Sequence, residues 1–382
     1  MDKVKITLSD GQCFYGESFG APLNGQTVIG ELVFATGMTG YIETLTDPSY
    51  FGQIVMQTFP MIGNYGMIEE DRESKKSYIK AYVVREWCDT PSNFRCEENL
   101  DAFLKNQGIT GVCGVDTRQI TRTIRENGVM NAMISSCQDN GLNNDTSESY
   151  KVTIKQINNY VVANAVMSVS RKKPSRYPSS ASQDGKYKVA LIDYGAKHNI
   201  IRELNKRECD VTVLPHDTPA NDIIKGGYDG LMLSNGPGDP AENKDCIKVV
   251  SELFGKIPMF GICLGHQIMA LAAGARTEKL KYGHRGLNQP VKNISSGRVF
   301  ISSQNHGYAV VADSIPKKMG YISYLNANDG SCEGAEYPEY HAFSVQFHPE
   351  ASCGPHDTMM LFDKFTELMS MSKLISKPEQ TK

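Results

Sequence analysis

The feature that most limits the fold is the alternation along residues 188–262. Strand-like 188–193 is followed by helix-like 197–206, strands 211–214 and 230–234, helix 244–254 and strand 257–262. Repeated units of this kind predict an α/β fold, a mainly parallel sheet with helices on both faces. In such sheets reactive groups collect at the carboxyl edge, where strands end and helices begin. Two glycine-bearing turns fall there, Asn235-Gly236-Pro237-Gly238 and Gly261-Ile262-Cys263-Leu264-Gly265. Near 358–370, Leu361, Phe362, Phe365, Leu368 and Met369 recur at helical spacing, the pattern of a core-facing stripe.

The front of the chain reads differently. Short apolar runs at 27–34 and 52–56, broken by Gly, Pro and Asp, predict strands, and helical stretches stand at 99–106 and 117–127. At 382 residues the chain exceeds what one core usually supports. The Ser- and Pro-rich stretch 171–186 has the composition of a linker. The expected organisation is a β-rich α+β domain over 1–150, a connecting segment and linker over 151–186, and an α/β domain over 187–382.

With 40 basic against 43 acidic residues, the charge balance points to neither nucleic acid nor an anionic membrane. Ten cysteines without a CxxC pair suit a reducing compartment and argue against structural zinc. Residues 1–5 lead into alternation rather than an apolar signal core, and no run of about 20 apolar residues follows. A cytoplasmic protein without a metal site is expected.

Cys263 closes an apolar strand and opens a helix, with a glycine two residues to either side, the shape of a nucleophile elbow. The helix N-terminus favours the thiolate, the attacking species. A base and an orienting group are then needed. His348 and Glu350 end the apolar segment 341–347, and Pro349 between them disfavours a helical turn. The turn Leu233-Ser234-Asn235-Gly236-Pro237-Gly238-Asp239-Pro240 lets main-chain amides approach a ligand and supply an oxyanion hole together with the amide after Cys263. It lacks the Gly-Lys-Ser/Thr ending of a phosphate loop.

These three elements in this order resemble the triad-type, or class I, glutamine amidotransferases. Within them, Gln304-Asn305-His306-Gly307-Tyr308-Ala309-Val310, Gly283-His284-Arg285-Gly286-Leu287-Asn288-Gln289-Pro290 and the front-half stretch 34–50 are similar to the small-subunit family of carbamoyl-phosphate synthetases. The resemblance implies a Cys263, His348, Glu350 triad and a glutamine-binding set of Ser49, Gly236, Gly238, Leu264, Gln267, Asn305, Gly307 and Tyr308. Tyr308 and Cys353 stand where the family's familiar residues are Phe and Pro. His266 and His284 receive no catalytic role.

The resemblance further implies ammonia release from glutamine and its passage to a large subunit, in a heterodimer or a higher assembly. There ATP and magnesium drive carbamoyl phosphate formation for arginine or pyrimidine synthesis, and this chain needs no cofactor. Competing readings are an amidotransferase for anthranilate or GMP synthesis, a catalytically silent assembly protein and a cysteine peptidase. The front half, the intact triad and the single-amino-acid ligand set argue against them in turn.

Overall fold

The computed structural model describes residues 2–137, 148–179 and 185–376. Two compact units, Met1–Ala163 and Asn164–Lys382, make up the chain.

The first unit is built on a closed barrel. Its elements are β1 (Lys3–Leu8), β2 (Cys13–Gly20), β3 (Val28–Ala35), α1 (Tyr41–Thr46), β4 (Gln53–Gln57), β5 (Met61–Ile62), β6 (Ala81–Val83), β7 (Glu86–Trp87), α2 (Leu100–Gln107), β8 (Thr110–Cys113), α3 (Thr117–Asn127), β9 (Met130–Ser136) and α4 (Glu148–Asn158). The barrel runs β1-β2-β8-β6-β4-β3-β9 and closes by β1 against β9, leaving β5 and β7 as a separate pair. Closure removes unpaired strand edges. Helices α2 and α3 begin at side-chain caps: Asn99 accepts from the Ala102 amide and Asp116 from the Gln119 amide. Val33, Val55 and Tyr82 of the strands pack with Ile42, Leu45, Phe103 and Leu104 of the helices.

The second unit carries α5 (Ala165–Val169), β10 (Ser175–Tyr177), β11 (Tyr187–Asp193), α6 (His198–Lys206), β12 (Cys209–Pro215), α7 (Ala220–Lys225), β13 (Gly230–Leu233), α8 (Lys244–Leu253), β14 (Met259–Ile262), α9 (Leu264–Ala272), β15 (Thr277–Asn293), β16 (Val299–Val310), β17 (Tyr321–Asn326), β18 (Cys332–Tyr337), β19 (Ala342–Val345) and α10 (Met360–Ser376). One ten-stranded sheet runs β10-β12-β11-β13-β14-β19-β18-β17-β15-β16. Its block β12-β11-β13-β14-β19 is parallel, as the alternation predicts, and an antiparallel wing extends it. Alternate side chains divide the core between the two faces. Val189 and Leu191 of β11 meet α6 and the α10 stripe, while Ala190 and Ile192 face α8 and α9.

The boundary between the units, after Ala163, falls within the 151–186 segment, and part of its Ser- and Pro-rich stretch is structured. Ser175–Tyr177 forms β10, an edge strand antiparallel to β12. Polar and Pro-rich sequence suits an exposed edge strand as well as a linker. Residues 180–184 of the stretch lie outside those described. No helix among the described residues is long and apolar enough to cross a membrane.

Candidate active site

At the carboxyl edge of β14 the chain turns sharply into α9 through Cys263, whose φ of 53° and ψ of −104° are unusual for a residue with a β-carbon. Strained backbone of this kind persists only where its surroundings over-determine it, and it concentrates at functional sites. Here the Cys263 amide donates to the Val345 carbonyl at 2.9 Å, and the Gly265 amide to the Ser234 carbonyl at 3.0 Å. Both flanking glycines are required by contact. A β-carbon at Gly261 would stand 2.8 Å from the Gly265 backbone, and one at Gly265 would stand 2.3 Å from the Leu233 carbonyl oxygen. Gly236 is equally confined, since a β-carbon there would lie 2.3 Å from the Tyr194 carbonyl oxygen and 2.8 Å from Leu264. The glycine turn after β13 is thereby pressed against Leu264, the residue that follows Cys263.

His348 and Glu350 follow β19, the strand beside β14, and both are buried. His348 Nδ1 stands 2.6 Å from Glu350 Oε1, while Nε2 makes no hydrogen bond among the described residues. Burial and the nearby Lys197 disfavour the imidazolium, yet Glu350 and Cys263 outweigh them and raise the His348 pKa to about 9. Burial likewise opposes the Glu350 carboxylate, but His348 and Lys197 hold its pKa down at about 2. Lys197 Nζ lies 3.2 Å from His348 Nδ1 and 3.4 Å from Glu350 Oε1, and Asn199 Nδ2 donates to the Glu350 carbonyl. Neither Lys197 nor Asn199 was expected from sequence. Their signal is position alone, in the turn and first helical residues after β11, at the sheet edge where such groups collect.

The remaining predicted residues divide into two groups. Asn305, Gly307 and Tyr308 lie on β16, where the Asn305 carbonyl is 3.6 Å from Cys263 Sγ. Gln267 is buried on α9, and its Nε2 donates to the Tyr308 carbonyl at 2.7 Å and to Gln346 Oε1 at 2.9 Å. The elbow, Gln267 and β16 therefore form one connected surface. Gly238, with φ of 89°, sits beside Ala165 in the wall of a cavity of about 210 Å³ that also includes His216 and Cys246. Ser49 belongs to the first unit, within the buried turn Pro48–Tyr50, where its amide donates to Asp47 Oδ1 at 2.8 Å.

His266 is fully buried, its pKa pushed down to about 3 by that burial, and its Nδ1 pairs with Ser344 Oγ at 2.8 Å. It is a packing residue. Among the described residues, His284, His306 and Glu333 bring possible metal-ligand atoms within 4.8 Å of one another. Both ring nitrogens of His306 are already hydrogen-bonded, to the Tyr308 carbonyl and to the Gln304 side chain.

A buried cysteine on a strained strand-to-helix turn, an adjacent His–Glu pair and a glycine turn beside the elbow accord with the family model described as glutamine amidotransferase class-I, which matches residues 190–368. The model described as carbamoyl-phosphate synthase small chain, CPSase domain, matches residues 6–134. Over 371 residues the chain is 47% identical to the carbamoyl phosphate synthase small chain of Bacillus thuringiensis subsp. konkukian, covering 97% of each. It is 46% identical to the protein of the same name from Lactococcus lactis subsp. lactis, covering 98% of this chain and 100% of that one. The solved structure of a glutamine amidotransferase from Thermotoga maritima, 18% identical, covers 50% of this chain and 86% of its own with a TM-score of 0.36. The second unit thus carries a class I glutamine amidotransferase domain. The whole chain belongs to the carbamoyl phosphate synthase small chain family.

Proposed function

We propose that this chain hydrolyses glutamine and supplies the ammonia to the large subunit of a carbamoyl phosphate synthase. The observation that carries the reading is the strained Cys263 elbow set beside the buried His348–Glu350 pair. In the proposed reaction the Cys263 thiolate attacks the side-chain carboxamide carbon of glutamine. The protonated His348 gives its Nε2 proton to the departing ammonia, leaving a glutamyl thioester. Water then attacks the thioester, His348 accepts its proton, and glutamate departs as the thiolate is restored. Glu350 keeps the ring oriented and supports its charge, with Lys197 sustaining the carboxylate. The amide of Leu264 and those of Gly236 and Gly238 stabilise the tetrahedral oxyanion.

Leu264, Gln267, Asn305, Gly307 and Tyr308 bind the substrate in this reading, and Ser49 joins them on the resemblance alone. ATP and magnesium act on the large subunit, so this chain holds no cofactor. We place the complex in the cytoplasm as a heterodimer or a multiple of it, feeding arginine synthesis, pyrimidine synthesis or both. The test compares nitrogen donors in the reconstituted complex. Cys263→Ser is expected to abolish glutamine-dependent synthesis and to leave synthesis from added ammonia largely intact. Equal loss with both donors would overturn the division of labour.

A further inference from the structure

Between the segment that carries the base and the helix that follows the nucleophile stands one buried side chain to which the proposed reaction gives no role. Gln346 follows β19, one residue after Val345, whose carbonyl accepts from the Cys263 amide, and two residues before His348. Its main chain is anchored to β18, the Gln346 amide donating to the Glu333 carbonyl at 2.9 Å. Its side chain is wholly buried, and Oε1 accepts from Gln267 Nε2 at 2.9 Å. The same Gln267 nitrogen donates to the Tyr308 carbonyl of β16 at 2.7 Å. Gln346 Nε2 has no partner among the described residues.

We propose that Gln346 is a positioning residue for the glutamine site, acting through Gln267. The inference rests on the glutaminase reading above, in which Gln267 touches the substrate. A primary amide carries two N–H groups and one acceptor oxygen. The Tyr308 carbonyl can only accept, so Gln267 turns its nitrogen toward it, and Gln346 must then present its oxygen to that same nitrogen. Gln346 holds this orientation although its own Nε2 is left without a partner among the described residues, because the reverse would set two N–H donors face to face. Both Gln267 protons are thereby taken, by acceptors on two different segments. One bond alone would let the amide plane swing about it. Two fix the plane, and what Gln267 offers the substrate is its Oε1, an acceptor aimed in one direction. Without the Gln346 acceptor one Gln267 N–H is buried and unpaired, which is costly enough that the amide turns to find another partner. That turn takes Oε1 off its line and weakens the bond to Tyr308, while Cys263, His348 and Glu350 keep their places.

The test is a double-mutant cycle on the full chain bound to its large subunit, read by glutaminase kinetics. Gln346→Met removes the acceptor at nearly constant volume. Gln346→Asn, one methylene shorter, draws the acceptor out of reach and takes its place if the Met variant fails to fold. Either is expected to raise the KM for glutamine about tenfold with kcat held within about twofold, a loss of substrate positioning rather than of chemistry. Gln346→Glu keeps an acceptor at the same reach and should hold KM within about threefold of the parent. Because Gln346 acts through Gln267, adding Gln346→Met to Gln267→Met should raise KM no further, whereas independent effects would add. Two results would overturn the proposal: a parental KM in a folded Gln346→Met or Gln346→Asn complex, or a second tenfold rise when Gln346→Met joins Gln267→Met. The same variants carrying Cys263→Ser, titrated with glutamine in a calorimeter, read binding without turnover. A parent complex that binds glutamine without hydrolysing it would sink the glutaminase reading, and the Kd values would still decide this one.

Discussion

His348 and Glu350 form a close pair, with Nδ1 2.6 Å from Oε1 and both side chains almost wholly withdrawn from water. Buried charges are unfavourable singly, so each depends on its partner to remain ionised. The two titrate as a unit, the imidazole raised and the carboxylate lowered.

That coupling gives a stability profile with a defined sign. His348 has a folded-state pKa of about 9 against an ordinary 6.5, so its contribution is complete below 6.5 and lost as pH rises through about 9. Glu350 has a folded-state pKa of about 2 against 4.5, so its contribution is complete above 4.5 and lost as pH falls through about 2. Glu350→Gln removes the carboxylate's effect and the part of the His348 effect that Glu350 supplies. The difference in Tm between the parent and this variant should therefore be largest between pH 4.5 and 6.5 and shrink on either side. A difference independent of pH would show that the pair does not set the ionisation of either group.

In the proposed reaction the same pair separates two roles. His348→Asn removes the proton carrier and should cost ~10²–10⁴-fold in glutaminase rate. Glu350→Gln removes only orientation and charge support and should cost less. Steady-state rates of the two variants, each bound to the large subunit, make the comparison. Equal or reversed losses would exchange or erase the assigned roles.

A third expectation concerns the elbow. The β-carbon in Gly265→Ala would meet the Leu233 carbonyl oxygen at 2.3 Å, and backbone cannot swing aside as a side chain does. The helix start must shift, and overpacking of this kind costs ~1–3 kcal/mol in stability. Displacing the nucleophile by about 1 Å costs roughly 100-fold in rate. Chemical denaturation and glutaminase assays on one preparation would measure both, and a variant with parental rate would mean that the elbow tolerates the shift.

What could be seen in sequence was what is encoded locally. The glycine-flanked Cys263 announces its turn because the crowding that demands glycine is set by residues within a few positions and by the neighbouring strand. The parallel block was legible because its strands are apolar on both faces, and α3 announces its own ends through Asp116 and Gly128. The β15–β16 hairpin was not, since its pairing shifts register between Lys279 and His284 and again between Gly286 and Gln289, which breaks the two-residue alternation. The contacts of Lys197 with His348 and of His284 with His306 join residues from separate strands and turns. No spacing rule reports them.

The last expectation concerns control of the site. In the proposed reaction the nucleophile Cys263 sits after β14, the base His348 after β19, the glycine turn after β13 and the carbonyls of Asn305 and Tyr308 on β16, so four segments must agree in position. The strained turn at Cys263 is held by hydrogen bonds to two of them, from its own amide to Val345 at the end of β19 and from the Gly265 amide to Ser234 after β13. Small relative shifts among the segments change the distance between thiol and imidazole. When orientation carries much of the barrier reduction, a misplacement of about 1 Å costs roughly 100-fold. A large subunit that binds the competent arrangement more tightly raises its population by that difference in affinity and by no more. The isolated chain is therefore expected to hydrolyse glutamine slowly, the large subunit to accelerate it, and bicarbonate with ATP to accelerate it further. Turnover measured under those three conditions tests the coupling, and full activity of the isolated chain, unchanged by the partner or its substrates, would remove it.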